Sequence, residues 1–235
     1  MSPSPLPWLP ARVAAVRRET VRARTLTLAV DGWPGHRAGQ HVDVRLTAED
    51  GYQAQRSYSI ASPPGAPLEI TVERLPEGEL SLWLVDEARP GDALDLRGPI
   101  GGYFVWEPAR GGPLLLVAGG SGLVPLMCIE RHRRRAAPEI PSTLLLSARG
   151  PEDVLYSGEL DGAALTYTRR TPDGWTGYDR RIDAAMLAAV APPPDARPRC
   201  FVCGPTAFVE HVAQDLVDLG HHPALVKTER FGASG

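Results

Sequence analysis

Through the first hundred residues the chain runs in short segments, several of which alternate apolar and polar positions. "RVAAVRRET", "RTLTLAV", "HVDVRLT", "QRSYSIAS", "LEITVERL" and "ALDLRG" are each about strand length, with Gly or Pro clusters between them. A period of two sends successive side chains to opposite faces of a strand. Strands at this spacing, with no helical periods, predict an antiparallel barrel or sandwich. One stretch breaks the rhythm: "LSLWLVDEA", residues 80–88, puts Leu80, Trp83 and Leu84 on one face of a short helix.

Beyond "EPARGGP", residues 107–113, which reads as a linker, the pattern changes. "LLLVA" is a continuous apolar run of the kind that fills a buried parallel strand. "STLLLSA", "ALTYT" and "CFVCG" follow as further strands, separated by helical segments such as "FVEHVAQDLVDLG". This predicts an α/β domain with a parallel sheet. The boundary is placed at 108/109, giving domains 1–108, with a Pro-rich N-terminal arm, and 109–235.

Composition narrows the function classes. The chain has 235 residues, 43% of them hydrophobic, enough for a real core. A formal charge of −3 gives no general attraction to nucleic acid or an anionic membrane. No apolar run approaches a bilayer span and no secretion signal is evident, so a cytoplasmic protein without membrane insertion is expected. Cys128, Cys200 and Cys203 form neither a disulfide framework nor a metal pattern, so no metal site is expected.

Two motifs sit where ligands bind in such sheets. "VAGGSGLVPLM", residues 117–127, sets Gly119, Gly120, Ser121 and Gly122 between a buried strand and a helix. Glycines let amide groups approach a ligand, and the helix start adds a positive dipole end, so a pyrophosphate fits; such turns also occur without ligands. "VCGP" ends the last strand of the α/β region and brings Cys203 to a strand end, where ligands of open sheets sit. A buried cysteine acting as a small apolar residue is the alternative reading.

Together these motifs resemble those of the ferredoxin-NADP reductase superfamily, in the family's order and over almost the whole chain. "RSYS" resembles its flavin motif, "EGELS" its second phosphate loop and "GPIGGYF" the segment closing the flavin domain. "GGSGLVP" resembles its nicotinamide-dinucleotide loop, "VCGP" its Cys-Gly-Pro and "ERFG" the C-terminal end of bacterial members. The resemblance implies an antiparallel Greek-key β-barrel holding FAD, with FMN less favoured, followed by a parallel-sheet α/β domain for the nicotinamide nucleotide. It implies an NAD(P)H-dependent flavoprotein oxidoreductase acting in electron transfer.

The resemblance also assigns roles. Arg56 pairs with the flavin pyrophosphate, Tyr58 lies against the ring, and Ser59 reaches the ring nitrogen that receives hydride, with Ser57 in the same cofactor-binding stretch. Gly78, Leu80 and Ser81 offer amide groups to the pyrophosphate. Gly120, Ser121 and Gly122 hold the nucleotide phosphates. Cys203 and Gly204 lie near the nicotinamide, and Glu229 and Phe231 help wall the site. Ser59, Cys203 and Glu229 are the expected catalytic residues.

Arg149, in "SARGPEDVLY", and Arg169 with Arg170, in "YTRRTPDGW", stand at the next two strand ends. They favour NADPH, with NADH open because Asp153 is close by. "GWTGYDRRI" departs from the family pattern, carrying Arg180 where glycine is expected. "ERHRRR", residues 130–135, reads as a solvated helix end, with docking of an acidic partner or 2′-phosphate binding as alternatives. Only three cysteines exist, too few for a plant-type iron-sulfur domain. Electrons are therefore expected to pass to an external electron-acceptor protein, a metalloprotein such as a ferredoxin or oxygenase component. A reductase of free flavin, quinone or ferric chelates, and a non-catalytic flavin relay subunit, are the alternatives.

Overall fold

A computed structural model describes residues 6–48 and 50–231. The expectations placed on the first five residues of the Pro-rich arm, on Gly232 of "ERFG" and on the terminal "GASG" lie outside the described residues. The chain divides between Val105 and Trp106 into two units, and no described helix is long and apolar enough to cross a membrane.

The first unit is one antiparallel sheet of six strands: β1 (Trp8–Arg18), β2 (Ala23–Val30), β3 (His41–Thr47), β4 (Gln53–Ser59), β5 (Leu68–Glu73) and β6 (Ala93–Ile100). Their order is β4-β3-β6-β1-β2-β5, and the ends of the sheet meet in an Ile60–Ile70 bridge that closes it into a barrel. Alternation sends Leu26, Leu28, Val42, Val44, Ile70, Val72 and Leu96 inward. Each such side chain contributes about 1.5–3 kcal/mol on burial. The expected helix starts as α1 (Glu79–Leu82) and widens into a π-helical turn, Trp83–Glu87, with Leu80 and Leu84 buried and Trp83 partly so.

Strand β1 begins inside the Pro-rich arm. Trp8, Leu9 and Pro10 pair with Arg97, Leu96 and Asp95 of β6, whereas pairing with β2 starts only at Ala11. Pro10 therefore sits where its missing N–H faces no second neighbour. The Trp8 ring lies under the guanidinium groups of Arg45 and Arg97, 4.2 and 4.8 Å from its centroid. Those cations are in turn fixed by Asp95 and Asp43 at 2.9 and 2.6 Å.

The second unit is a parallel sheet of β7 (Leu114–Gly119), β8 (Ser142–Ala148), β9 (Ala164–Tyr167), β10 (Arg199–Pro205) and β11 (Val226–Phe231), ordered β11-β10-β7-β8-β9. Its helices are α2 (Leu123–Ala136), α3 (Ala184–Val190) and α4 (Thr206–Asp218). Every residue of β7 is buried, as its unbroken apolar run requires of a central strand. The connection through α2 leads from β7 to β8, and that through α4 leads from β10 the other way, to β11. Right-handed crossovers then place α2 and α4 on opposite faces, and the sheet reverses direction between β7 and β10. The segment expected as a linker is folded: Trp106 is buried and its indole N–H donates to the Gly111 carbonyl at 3.0 Å.

Glycines let the C-terminal ends of β7 and β10 approach closely. A Cβ on Gly122 would overlap the carbonyl of Cys203, and one on Gly119 would come within 2.9 Å of the Phe208 ring. A Cβ on Gly204 would meet the same ring at 2.7 Å and the Gly119 Cα at 3.2 Å. Gly122→Ala must therefore push two backbones apart, at about 1–3 kcal/mol for overpacking. We expect its thermal unfolding midpoint to fall by roughly 4 °C or more. Gly158→Ala, whose added Cβ meets nothing within 4 Å, should leave the midpoint nearly unchanged in the same calorimetric scans.

Candidate functional site

In the first unit, β4 presents Arg56 and Tyr58 on one face and Ser57 on the other. Arg56 is exposed, and its side chain donates to the neighbouring Gln55 carbonyl at 2.7 Å. Among the described residues no carboxylate pairs with it, in contrast to Arg45 on β3 and Arg97 on β6. Burial pushes the Tyr58 phenol well above its usual range, opposed by the charge of Arg56. Ser59 is half-buried and lies opposite His41. Ser57 does something different: its hydroxyl donates to Asp43 at 2.5 Å, on the side where Arg97 also binds. Burial raises the Asp43 carboxyl, but the Ser57 and Arg97 hydrogen bonds outweigh it and hold the group below its ordinary value.

The helix α1 touches β4, so its first turn belongs to the same patch. Ser81 is buried, and its hydroxyl accepts from the Leu75 amide at 3.1 Å and donates to the Gly78 carbonyl at 2.8 Å. A Cβ on Gly78 would crowd both Leu75 and Ser81. The serine thus folds the loop tightly, and the first-turn amides of Glu79, Leu80 and Ser81 are those a helix start leaves without internal partners. An uncompensated guanidinium beside free amides is a fitting cradle for a pyrophosphate.

In the second unit, the turn Gly120–Gly122 leads straight into α2, with Gly120 at φ +57° and Ser121 half-buried. Pro125 sits in the first turn of α2, where a missing N–H costs little. Cys203 is 1% exposed and lies between Ala118 of β7 and Glu229 of β11 in the strand register. Burial, and then the charge of Glu229, push its thiol far above the usual value, so it is uncharged at neutral pH. Burial also raises the Glu229 carboxyl, to about 7. Phe231, partly exposed, pairs with Pro205 at the strand end. Gly120, Ser121, Gly122, Cys203, Gly204 and Glu229 thus converge on the reversal point of the sheet, where open α/β sheets take ligands.

The arginines at the neighbouring strand ends are differently placed from what their number alone conveys. Arg149 forks onto Asp153, with Nε and Nη2 at 3.1 and 3.0 Å from its two oxygens. Arg170 is paired with Glu152. The Arg169 side chain is exposed and has no ion pair among the described residues. The Arg149 carbonyl accepts the amides of both Arg169 and Arg170 at 3.0 Å, tying the two strand ends together. Arg180 is taken up locally: it pairs with Asp183 at 2.7 Å, the residue that caps α3 by accepting from the Met186 amide. The basic run on α2 is largely spent inside the unit. Arg133 and Arg134 bind the buried Glu130 at 2.8 and 2.7 Å, and Arg131 binds Glu159 at 2.5 Å. Asp153 entered the sequence reading only as an acid close to Arg149, and Glu152 went unassigned; the i, i+4 spacing of Arg149 and Asp153 was the one signal of their pairing. Phe208, the ring on which the glycines close, gave none.

Residues 14–105 match the family described as oxidoreductase FAD-binding domain, and residues 116–214 match the oxidoreductase NAD-binding domain. The chain is 31% identical to a glycine betaine monooxygenase reductase subunit of Pseudomonas aeruginosa, over 83% of this chain and 56% of the relative. It is also 31% identical to the ferredoxin reductase component of a 3-ketosteroid-9-alpha-monooxygenase from Rhodococcus rhodochrous, over 94% of this chain and 64% of that protein. The chain thus spans less than two thirds of either. A solved ferredoxin reductase of carbazole 1,9a-dioxygenase superposes with a TM-score of 0.82 at 26% identity, over 98% of this chain and 71% of the other. Both domain matches, in this order along a barrel and a parallel α/β sheet, lead to one conclusion: the chain belongs to the ferredoxin-NADP reductase superfamily and joins an oxidoreductase FAD-binding domain to an oxidoreductase NAD-binding domain.

Proposed function

We propose that the chain takes hydride from NAD(P)H and delivers electrons one at a time to a separate redox protein. The observation that carries this reading is the meeting of the glycine turn, Cys203 and Glu229 at the reversal point of the parallel sheet. Relatives named as reductase subunits of monooxygenases support an external acceptor. A metalloprotein, such as a ferredoxin or an oxygenase component, is the acceptor chemistry we favour. Buried thiols at all three cysteines accord with a cytoplasmic setting.

Bound FAD supplies a ring that accepts two electrons together and releases them singly. The work of the protein is binding, alignment and exclusion of water. Arg56 and the amides at Leu80 and Ser81 hold the flavin pyrophosphate, Gly78 closes the loop behind them with its own N–H donating to the Leu75 carbonyl at 3.1 Å, and Tyr58 shields the ring. Ser57 contributes from the opposite face, by keeping Asp43 and the β3–β4 pair rigid. Ser59 donates or accepts a hydrogen bond at the reacting edge of the ring. Gly120, Ser121 and Gly122 seat the nucleotide phosphates on the start of α2. Cys203, uncharged and backed by Gly122, packs against the nicotinamide with Gly204, and Phe231 and Glu229 complete the wall. Arg149 and Arg169 face the adenosine end. Domains 1–108 and 109–235 divide this labour between flavin and nucleotide.

Purified protein mixed anaerobically with NADH or NADPH should lose its flavin absorbance rapidly. If flavin is bound and neither nucleotide bleaches it, the relay reading replaces this one; high turnover on free flavin or quinone alone would favour a reductase of small acceptors. Cys203→Ala should slow bleaching in stopped flow at least tenfold with flavin still bound, and an unchanged rate would remove Cys203 from the site. Arg56→Ala should weaken FAD binding by about tenfold or more, as loss of a charged hydrogen bond of 1.5–3 kcal/mol requires.

Glu229 adds a pH test. Its folded value lies near 7, above the ordinary carboxyl value, so the native state holds a proton that the unfolded chain gives up earlier. That contribution is fully present below about pH 4.5 and is lost as pH rises toward 7. Urea unfolding at pH 5 and pH 8 should show Glu229→Gln gaining stability relative to the parent protein at the higher pH. An equal difference at both pH values would place the carboxyl in water.

A further inference from the structure

We propose that Lys227 is a site of acylation by acyl phosphates, with Arg110 and Arg199 seating the phosphate beside its amine. Lys227 is the only lysine in the sequence. It stands opposite Phe201 in the β10–β11 ladder, so alternation puts Arg199, Phe201 and Lys227 on one face of the second unit's sheet. The other face carries Cys200, Val202 and Val226 into the core, against side chains of α3 and α4. Arg199 opens β10 and Lys227 is the second residue of β11. The group therefore lies where these parallel strands begin, at the end away from Cys203 and the glycine turn.

Cations gather at this rim. The Arg199 guanidinium donates through Nε to the Arg110 carbonyl at 2.6 Å, which ties the start of β10 to the turn Pro108–Arg110. Arg110 is exposed and Arg199 half-buried, and neither has an ion pair among the described residues. Elsewhere in the unit Arg131, Arg133, Arg134 and Arg149 are all drawn onto carboxylates. Lys227 is half-buried, its ammonium 5.8 Å from the centroid of the Phe201 ring, near the limit of reach of a cation–π contact. Burial, and then the charges of Arg110 and Arg199, hold its amine below the ordinary lysine value. Both causes enlarge the neutral fraction, which is the form that attacks a carbonyl.

An acyl phosphate joins an anion to a reactive carbonyl, and the two halves match the two kinds of cation. The guanidinium groups bind the phosphoryl oxygens and bring the carbonyl carbon to Nζ. The neutral amine attacks that carbon. A C–N bond forms, the bond from the carbonyl carbon to the phosphate oxygen breaks, and inorganic phosphate leaves with that electron pair while an amine proton passes to water. Nothing is oxidised or reduced. The product is an uncharged amide, which leaves Arg110 and Arg199 as the cations of this group.

The test incubates the full chain, with its flavin, with acetyl phosphate at pH 8 and follows Lys227 by peptide mass spectrometry. Lys227 should gain an acetyl group at least tenfold faster than the side chain of Nα-acetyl-lysine amide in the same solution, and inorganic pyrophosphate should slow it. Arg110→Ala, at an exposed position, should slow acetylation by acetyl phosphate at least threefold. The same variant should change labelling by acetic anhydride, which carries no phosphate, by much less. Arg199→Gln, should the first variant lose its flavin, must separate the two reagents in the same way. Labelling of Lys227 no faster than that of the lysine amide overturns the proposal. Equal losses with both reagents, or no slowing by pyrophosphate, overturn the seating of the phosphate by the two arginines.

Discussion

The second unit depends on one steric constraint: backbone meets backbone where the turn after β7 crosses the end of β10. Gly122 lies against the Cys203 carbonyl with no room for a side chain, and Gly119 and Gly204 close on the Phe208 ring. The contact brings a helix start and a strand end together at the point where the sheet reverses. A turn even one methyl group thicker would hold Cys203 away from the amides at the start of α2. The glycines of "GGSG" and "VCGP" are therefore two halves of a single contact, which explains why both motifs occur in one chain.

The first unit uses charge where the second uses close packing. Strand β4 lies at one end of the sheet order, with β3 its single ladder partner, and the barrel closes just past its end, at Ile60. Its faces are divided by alternation. One carries Ser57 into the Asp43–Arg97 pair, while the other leaves Arg56 without a counter-ion among the described residues. A guanidinium kept free on a strand whose other side is fixed by a buried carboxylate is held ready for an anion. The neighbouring arginines show the contrast, since Arg45 and Arg97 are both paired and both lie over Trp8.

How far the fold could be read in the sequence follows from how local its causes are. The β3 and β8 runs, "HVDVRLT" and "STLLLSA", emerge residue for residue, because alternation or continuous apolarity fixed them without help from distant contacts. The start of β1 was hidden by Pro10, which reads as a breaker unless one knows that only β6 pairs there. Strand β11, "VKTERF", was legible only as a terminal motif, because an edge strand with one half-buried side has little periodicity. In the site, the glycine turn was visible from its place between a buried strand and a helix, and the β4 residues from the resemblance of "RSYS" to a flavin motif. The engagement of Arg149 and Arg170 was not, since ion pairing depends on how a turn folds back.

That last difference bears on how arginine-rich chains are read. With 25 basic and 28 acidic residues, many cations meet a carboxylate, so the number of arginines near a site says little about its field. The run "ERHRRR" is the clearest case: its most concentrated positive charge is drawn onto Glu130 and Glu159 and onto the backbone carbonyls of Pro138 and Ile140. What an incoming phosphate feels is the charge left after pairing, and by that measure Arg56 and Arg169 count for more than the whole of the basic run. Around Cys203 the residual charge is lower still, because burial keeps the thiol protonated and raises the Glu229 carboxyl to about 7. The same burial that builds the core therefore keeps a thiolate out of this strand end and leaves the carboxyl charged only in part at neutral pH.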